Sequence, residues 1–220
     1  MANKASRTIQ EQIELLDNRG MLFHDKAFAT ACLKRISYFR LKAYWWDMQS
    51  DPVNHVFTSE SCFEDVIERY EFDNALRKIL FTAIDTIEIA LRTKLTNEFG
   101  LSIHSDLSSW LEAIAYLRNI VAHHSRLWSR NMVKRPSEPL NPHNTWLSRQ
   151  LSDMEAKRPF YIITAMLYLC DAVHPSNKLR EDIFQLMKEY AHLPVQRMGF
   201  FDGWEQEPIW ATERVESMVR

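Results

Sequence analysis

The 220-residue chain predicts an all-α fold, a helical bundle preceded by an additional amino-terminal helical lobe. Three observations carry this. Apolar residues recur at intervals of three and four along most of the sequence, the spacing of one face of a helix. Only four glycines occur, Gly20, Gly100, Gly199 and Gly203, and each closes a periodic stretch, where a left-handed residue ends a helix. With 46% apolar residues, a chain of this length buries a substantial core.

In order along the chain, Ile9, Ile13 and Leu16 share one helical face, and "DNRG" ends that segment with Gly20 as its carboxyl-terminal cap. Asp25 starts a second helix with Phe28, Cys32 and Ile36 inward. The aromatic-rich "YFRLKAYWWDMQ", Tyr38 to Gln49, leads into the loop "SDPVNH". Residues 1–55 make up the amino-terminal lobe.

The bundle covers residues 56–198. Ser61 and Glu64 have the spacing of a capping box, in which a hydroxyl and a carboxylate satisfy free amides at a helix start. From Cys62 toward Gly100, Phe72, Leu76, Leu80, Ile84, Ile87 and Leu91 form an inner stripe, with Asp73, Arg77, Glu88 and Arg92 as polar positions. The pattern suits two helices, or one kinked between Tyr70 and Asp73. "HSD", His104 to Asp106, offers an N-cap for a helix whose inner face is Trp110, Ile114, Leu117 and Val121. That helix ends before "RPSEPLNPHN", whose three prolines dictate a loop. "FYIITAMLYLCDAV" reads as a buried helix and "LREDIFQLMKEY" as an amphipathic one. Residues 199–220 form an aromatic segment packed on the body and then an acidic tail, the whole making one compact unit.

A net charge of −2 excludes a uniformly basic nucleic-acid coat, so anion binding must come from a local patch. Cys32, Cys62 and Cys170 lie far apart and are odd in number, as expected of reduced core thiols in a cytoplasmic protein; neither a disulfide nor a metal framework is expected. "MANKASRTIQ" has no apolar run behind its charges, and the longest apolar run, Phe160 to Cys170, is too short to span a bilayer. No membrane partner or cofactor is expected.

One stretch stands apart. "LRNIVAHHSRLWSRN", Leu117 to Asn131, lies within a run from Ala113 to Ser137 that carries five basic residues and no acidic one. Continued as a helix, it places Asn119, His123, Arg126 and Arg130 on one polar stripe at steps of four, three and four. His124 falls on the apolar side with Leu117, Ile120, Val121, Leu127 and Trp128, where a packed, supporting histidine is expected. Arg118 lies five residues before His123, about 140° around the helix. A dimer in which two motif helices meet would gather both copies around one cleft.

Arginine, amide and imidazole suit cleavage of a phosphodiester that brings its own nucleophile. In RNA the 2′-hydroxyl attacks the adjacent phosphorus, so the protein must only move protons and hold developing charge. Histidine, which titrates near neutrality, suits the first task and gives His123 the proton-transfer role. The planar fork of Arg118 suits the second, and Asn119 would orient the histidine or hold the phosphate. Arg126, Arg130, Lys134 and Arg135 are the phosphate-guiding, RNA-binding candidates. A competing structural reading makes these four cations a basic helix end that offsets the dipole. It leaves Asn119 and His123 inside the helix unexplained. A metal hydrolase built on the paired histidines is disfavoured, because adjacent residues point to different helix faces. Serine-hydrolase, P-loop and dinucleotide-binding patterns are missing.

This motif resembles that of the Abi-like family, the AbiD and AbiF group of bacterial abortive-infection proteins within the HEPN superfamily of helical ribonucleases. The family's Arg-Asn, two residues, Ala-His-His, one residue, Arg-Leu-Trp is met by Arg118, Asn119, Ala122, His123, His124, Arg126, Leu127 and Trp128. "RISYFRLKAYW", "YEFDNALRKIL", "IEIALRTKL" and "MGFFDGWEQEPIW" resemble further family segments, so the likeness covers most of the chain. In its central helices Asp73, Arg77, Glu88 and Arg92 are better read as an ionic network holding helices in register than as substrate contacts. Val121 and Ser129 depart from the cysteine and asparagine that the family favours. The family also carries several tens of further residues between "LRTKLTNEFG" and "SSWLEAIAYLRN", which this chain lacks.

The resemblance implies a HEPN-like bundle and a metal-independent endoribonuclease, a toxin or anti-phage effector leaving 2′,3′-cyclic phosphate and 5′-hydroxyl ends. Its catalytic residues would be Arg118, Asn119 and His123, supported by His124. RNA would be substrate, with a homodimer through the motif helices and an RNA or protein antitoxin as possible partners. The alternative is a non-catalytic RNA-binding or scaffolding module that uses the same basic segment.

Overall fold

A computed structural model describes residues 7–93, 104–139, 142 and 144–211, without the side chains of 91–93 and 104–106. Among these residues are the helices α1 (Ile9–Asp17), α2 (Lys26–Arg35), α3 (Tyr38–Leu41), α4 (Phe63–Thr93), α5 (His104–Ala122), α6 (Pro159–Val173) and α7 (Leu179–Glu189). Two short antiparallel strands, β1 (Gln49–Asp51) and β2 (Val56–Phe57), complete the regular elements. The fold is all-α. The chain divides into two compact units, Met1–Asp73 and Asn74–Arg220, with the division inside α4. The roles expected of Leu91 and Arg92, of the "HSD" cap and of the acidic tail from 212 lie outside the described residues.

In the first unit, Thr8 and Glu11 start α1 reciprocally: Thr8 N–H donates to the Glu11 carboxylate at 2.6 Å, and Glu11 N–H donates to the Thr8 hydroxyl. Ile13 and Leu16 are buried, and Gly20 turns the chain with φ 89°. The Asp25 carboxylate accepts the Ala27 and Phe28 amides at the start of α2. Cys32 and Ile36 are buried as expected, but Phe28 is not. The inward stripe of α2 is Ala29, Cys32 and Leu33, which rotates Phe28 toward solvent. "SDPVNH" is the tip of a hairpin between β1 and β2, where Asp51 accepts the Val53 and Asn54 amides. Tyr44 and Trp45 are fully buried, and the Tyr44 hydroxyl donates to the buried Asp73 carboxylate at 2.7 Å.

The capping box expected at Ser61 and Glu64 does not form, because the backbone there is engaged elsewhere. Leu22 pairs with Cys62 in a parallel bridge: Leu22 N–H donates to Ser61 O, and Phe63 N–H donates to Leu22 O. α4 therefore begins at Phe63, one residue later than the box requires. The Ser61 hydroxyl donates to Met48 O instead, and Glu64 accepts from the Asp25 amide and the Cys62 thiol.

No break interrupts α4 near Tyr70 to Asp73; it runs as one helix of 31 residues. Phe72, Leu76, Leu80, Ile84 and Ile87 are buried along its inner face as the spacing predicts. In the second unit, α6 starts with Pro159 at a position that needs no amide donor, and is buried from there through Cys170. α7 is amphipathic, with Leu179, Ile183 and Leu186 buried. Phe200, Trp204 and Trp210 pack around Phe160, and Trp210 Nε1 donates to Thr164 Oγ1 at 3.1 Å. This seats the aromatic carboxyl-terminal segment on the core of the unit, as expected.

Candidate functional site at the end of α5

Trp110, Ile114, Leu117 and Val121 are buried, as the periodicity predicts, and fix which way α5 faces. Its opposite side carries Arg118 and Asn119, both exposed. The helix does not run on through the motif. It ends at Ala122, His123 N–H making the last four-residue bond, to Asn119 O at 3.1 Å. Ser125 N–H then reaches back to Ile120 O at 2.8 Å and His124 N–H to Val121 O at 3.0 Å. Those two bonds make a Schellman motif. His124 occupies its left-handed position with φ 51°, a place that usually takes glycine.

Of the expected stripe of Asn119, His123, Arg126 and Arg130, only Asn119 therefore lies within the helix, with His123 at its carboxyl-terminal cap. The apolar pattern misled because Leu127 and Trp128 lie seven residues after Ile120 and Val121, in phase with a helix that has already stopped. Both are fully buried, but from a loop. His124 is exposed rather than buried with them, and its backbone makes the turn that ends α5. Sequence offered one sign of this, three successive weak helix formers, His123, His124 and Ser125, where the inner face needed an apolar residue.

The loop after the turn is held from several sides. Arg77 on α4 is 4% exposed; its guanidinium bonds the Asn74 side chain and lies 3.5 Å from Ser125 O. Ser129, also left-handed with φ 53°, donates its amide to Met198 Sδ at 3.1 Å and accepts from Arg158 at 3.3 Å. Met132 N–H donates to Lys157 O at 2.7 Å. The expected structural role for Arg77 thus takes a specific form, the anchoring of the segment behind His123.

Charge around the motif is less one-sided in space than along the chain. Arg118 Nε lies 3.1 Å from Glu88 Oε1, Lys134 Nζ 2.6 Å from Glu112 Oε1, and Arg135 Nη2 2.7 Å from Asp153 Oδ1. All six side chains are at least a third exposed, so each pair contributes about 0–1 kcal/mol of stability and remains open to exchange with another anion. Arg126 and Arg130 are half-buried, and Arg130 Nη1 donates to Arg126 O at 3.1 Å. Counting charge along the sequence missed these partners, because Glu88 and Asp153 come from other segments and Glu112 lies one residue before the acid-free run. Arg135 also lines a cleft of about 280 Å³ with Glu138, Arg149 and Asp153, too mixed in charge to favour an anion.

Arg118, Asn119 and His123 are thus brought to one exposed helix end, with His124 beside them as a turn residue and Arg126 on the loop that follows. A model of the Abi-like protein family matches residues 31–106 and 97–129, and the second match contains all of these positions. The match supports the Abi-like family. The two matched stretches overlap over 97–106. Comparison with curated proteins and with solved structures gave no match. Among the described residues, no helix is long and apolar enough to cross a membrane.

Proposed function

We propose that the chain is a metal-independent endoribonuclease of the HEPN type, acting in the cytoplasm as a toxin or anti-phage effector. The observation that carries this reading is the exposure of Arg118, Asn119 and His123 together at the end of α5, on a turn whose following loop is fixed by buried Leu127 and Trp128. Exposed functional groups on an immobilised backbone are what a preorganised site needs.

In the proposed reaction the RNA 2′-oxygen attacks phosphorus and the bond from phosphorus to the 5′-oxygen breaks. His123 accepts the 2′-hydroxyl proton and a proton is returned to the departing 5′-oxygen, leaving 2′,3′-cyclic phosphate and 5′-hydroxyl ends. Arg118 exchanges Glu88 for a non-bridging phosphate oxygen, and Asn119 bonds the phosphate. The nucleophile belongs to the substrate, so no metal-bound water is needed. A homodimer through the α5 ends completes the cleft, Arg126, Arg130, Lys134 and Arg135 guide the RNA, and an RNA or protein antitoxin restrains the activity.

The test is incubation of the pure protein with transfer RNA and total RNA, without added divalent metal, beside His123→Ala and Arg118→Ala. Cleavage dependent on added magnesium or manganese, or surviving both substitutions, would sink the proposal. A second reading, a non-catalytic RNA-binding module, is favoured by the Glu88 carboxylate that already engages Arg118. It requires salt-sensitive binding that His123→Ala leaves unchanged.

A further inference from the structure

We propose that His24, Cys62 and Glu64, in the first unit, form a binding site for one Zn²⁺ ion that staples the start of α2 to the start of α4. Spacing along the chain does not suggest a metal framework, since the histidine stands thirty-eight residues before the cysteine. The fold brings them together. Cys62 Sγ lies 3.1 Å from His24 Nδ1 and 2.6 Å from Glu64 Oε2, and His24 Nδ1 lies 3.4 Å from Glu64 Oε2.

Those separations can be compared with what zinc requires. Bond lengths of about 2.0–2.3 Å to nitrogen, oxygen and sulfur, at tetrahedral angles, place the donors about 3.3–3.6 Å apart. The histidine distances are within about half an ångström of that range. The sulfur-to-carboxylate distance is shorter than that range, so these two donors must move apart as the ion replaces the thiol proton. Zinc binding then converts the thiol to thiolate, releases one proton to solvent and leaves a neutral centre of one dication and two anions. Imidazole must present its Nδ1 lone pair, with its proton on Nε2. A set containing sulfur and imidazole is too soft for magnesium or calcium and suits zinc.

The backbone prepares these donors. The parallel bridge from Leu22 to Cys62 sets residues 22–24 alongside 62–64, and Phe23 stacks on Phe63 with ring centres 5.4 Å apart. Glu64 is oriented through its other oxygen, Oε1, which accepts the Asp25 amide at 3.1 Å and leaves Oε2 facing the sulfur. The His24 side chain is 76% exposed, so an ion has an entry path and a fourth position open to water.

The experiment uses the full chain, stripped with chelator and then titrated with Co²⁺ as a spectroscopic stand-in and with Zn²⁺ in competition. The expected result is one Co²⁺ per chain, a near-ultraviolet thiolate-to-cobalt charge-transfer band, and loss of that band as Zn²⁺ displaces it. His24→Ala and Cys62→Ser should each weaken binding by at least about tenfold, while Cys32→Ser leaves it unchanged. His24 is exposed, so its substitution leaves the core intact and decides the matter if Cys62→Ser fails to fold. Absence of the band, or equal affinity in His24→Ala, overturns the proposal and leaves a hydrogen-bonded trio without a metal.

Discussion

Arg118 Nε and Glu88 Oε1 stand 3.1 Å apart, so the cation proposed to meet phosphate is met first by a carboxylate of α4. The pair is too exposed to matter much for folding, which leaves two roles for Glu88: to aim Arg118 and to yield it. Glu88→Gln removes the charge and keeps the shape. It should leave thermal stability within about 0.5 kcal/mol, leave RNA affinity equal or tighter, and lower kcat by about tenfold, or about 1.4 kcal/mol. Single-turnover kinetics with protein in excess over RNA and over Kd separates these effects, and an unchanged cleavage rate would remove Glu88 from the site.

The left-handed turn at His124 gives a second expectation. Glycine relieves the steric cost of that conformation, about 1–2 kcal/mol, at some loss from greater freedom in the unfolded chain. His124→Gly should therefore be tolerated better than His124→Val, whose branched side chain makes that conformation more costly. If the imidazole serves only the turn, cleavage by His124→Gly stays within a few-fold of the parent. Urea denaturation and the cleavage assay check the two halves separately.

Gly199 gives a test of the carboxyl-terminal packing. Its φ is 93°, and an added Cβ would lie 2.6 Å from Arg158 Cβ and 3.2 Å from Phe160 Cβ. Gly199→Ala is expected to cost about 2 kcal/mol or more, lowering Tm by roughly 4–8 °C. Arg158 also bonds the Ser129 carbonyl, so the same variant should reduce cleavage more than its stability loss alone explains.

Basic residues should divide by their acidic neighbours. Lys134 and Arg135 are paired with Glu112 and Asp153, whereas Arg130 donates to a backbone carbonyl. Arg130→Ala should weaken RNA binding more than Lys134→Ala or Arg135→Ala, and should reduce the dependence of log Kd on log salt by about one. Equal losses from all three would mean that RNA displaces both carboxylates.

Much of this architecture was legible in the sequence because it rests on periodicity. The faces of α4, α5, α6 and α7 follow from apolar spacing alone, as do the helix starts at Asp25 and the turn at Gly20. What failed was local backbone detail. Ser61 and Glu64 matched a capping box that the parallel bridge to Leu22 had already displaced, a pairing between residues far apart in sequence. His124 took a glycine's conformation without being glycine, so no spacing rule ended α5 at Ala122. The candidate site was legible in its residue types but not in its electrostatics, because Glu88 and Asp153 lie on other segments and Glu112 stands just outside the acid-free run. His24 and Cys62 were not legible as a cluster for the same reason.

The most direct test of the central claim is the chemistry of the RNA ends left by the wild-type protein and by His123→Ala, without added divalent metal. The wild type should leave 2′,3′-cyclic phosphate and 5′-hydroxyl ends, and His123→Ala should cleave at least about 10²-fold more slowly, with both proteins equally folded. Ends bearing 5′-phosphate, or a His123→Ala variant that cleaves as fast as the parent, would contradict it.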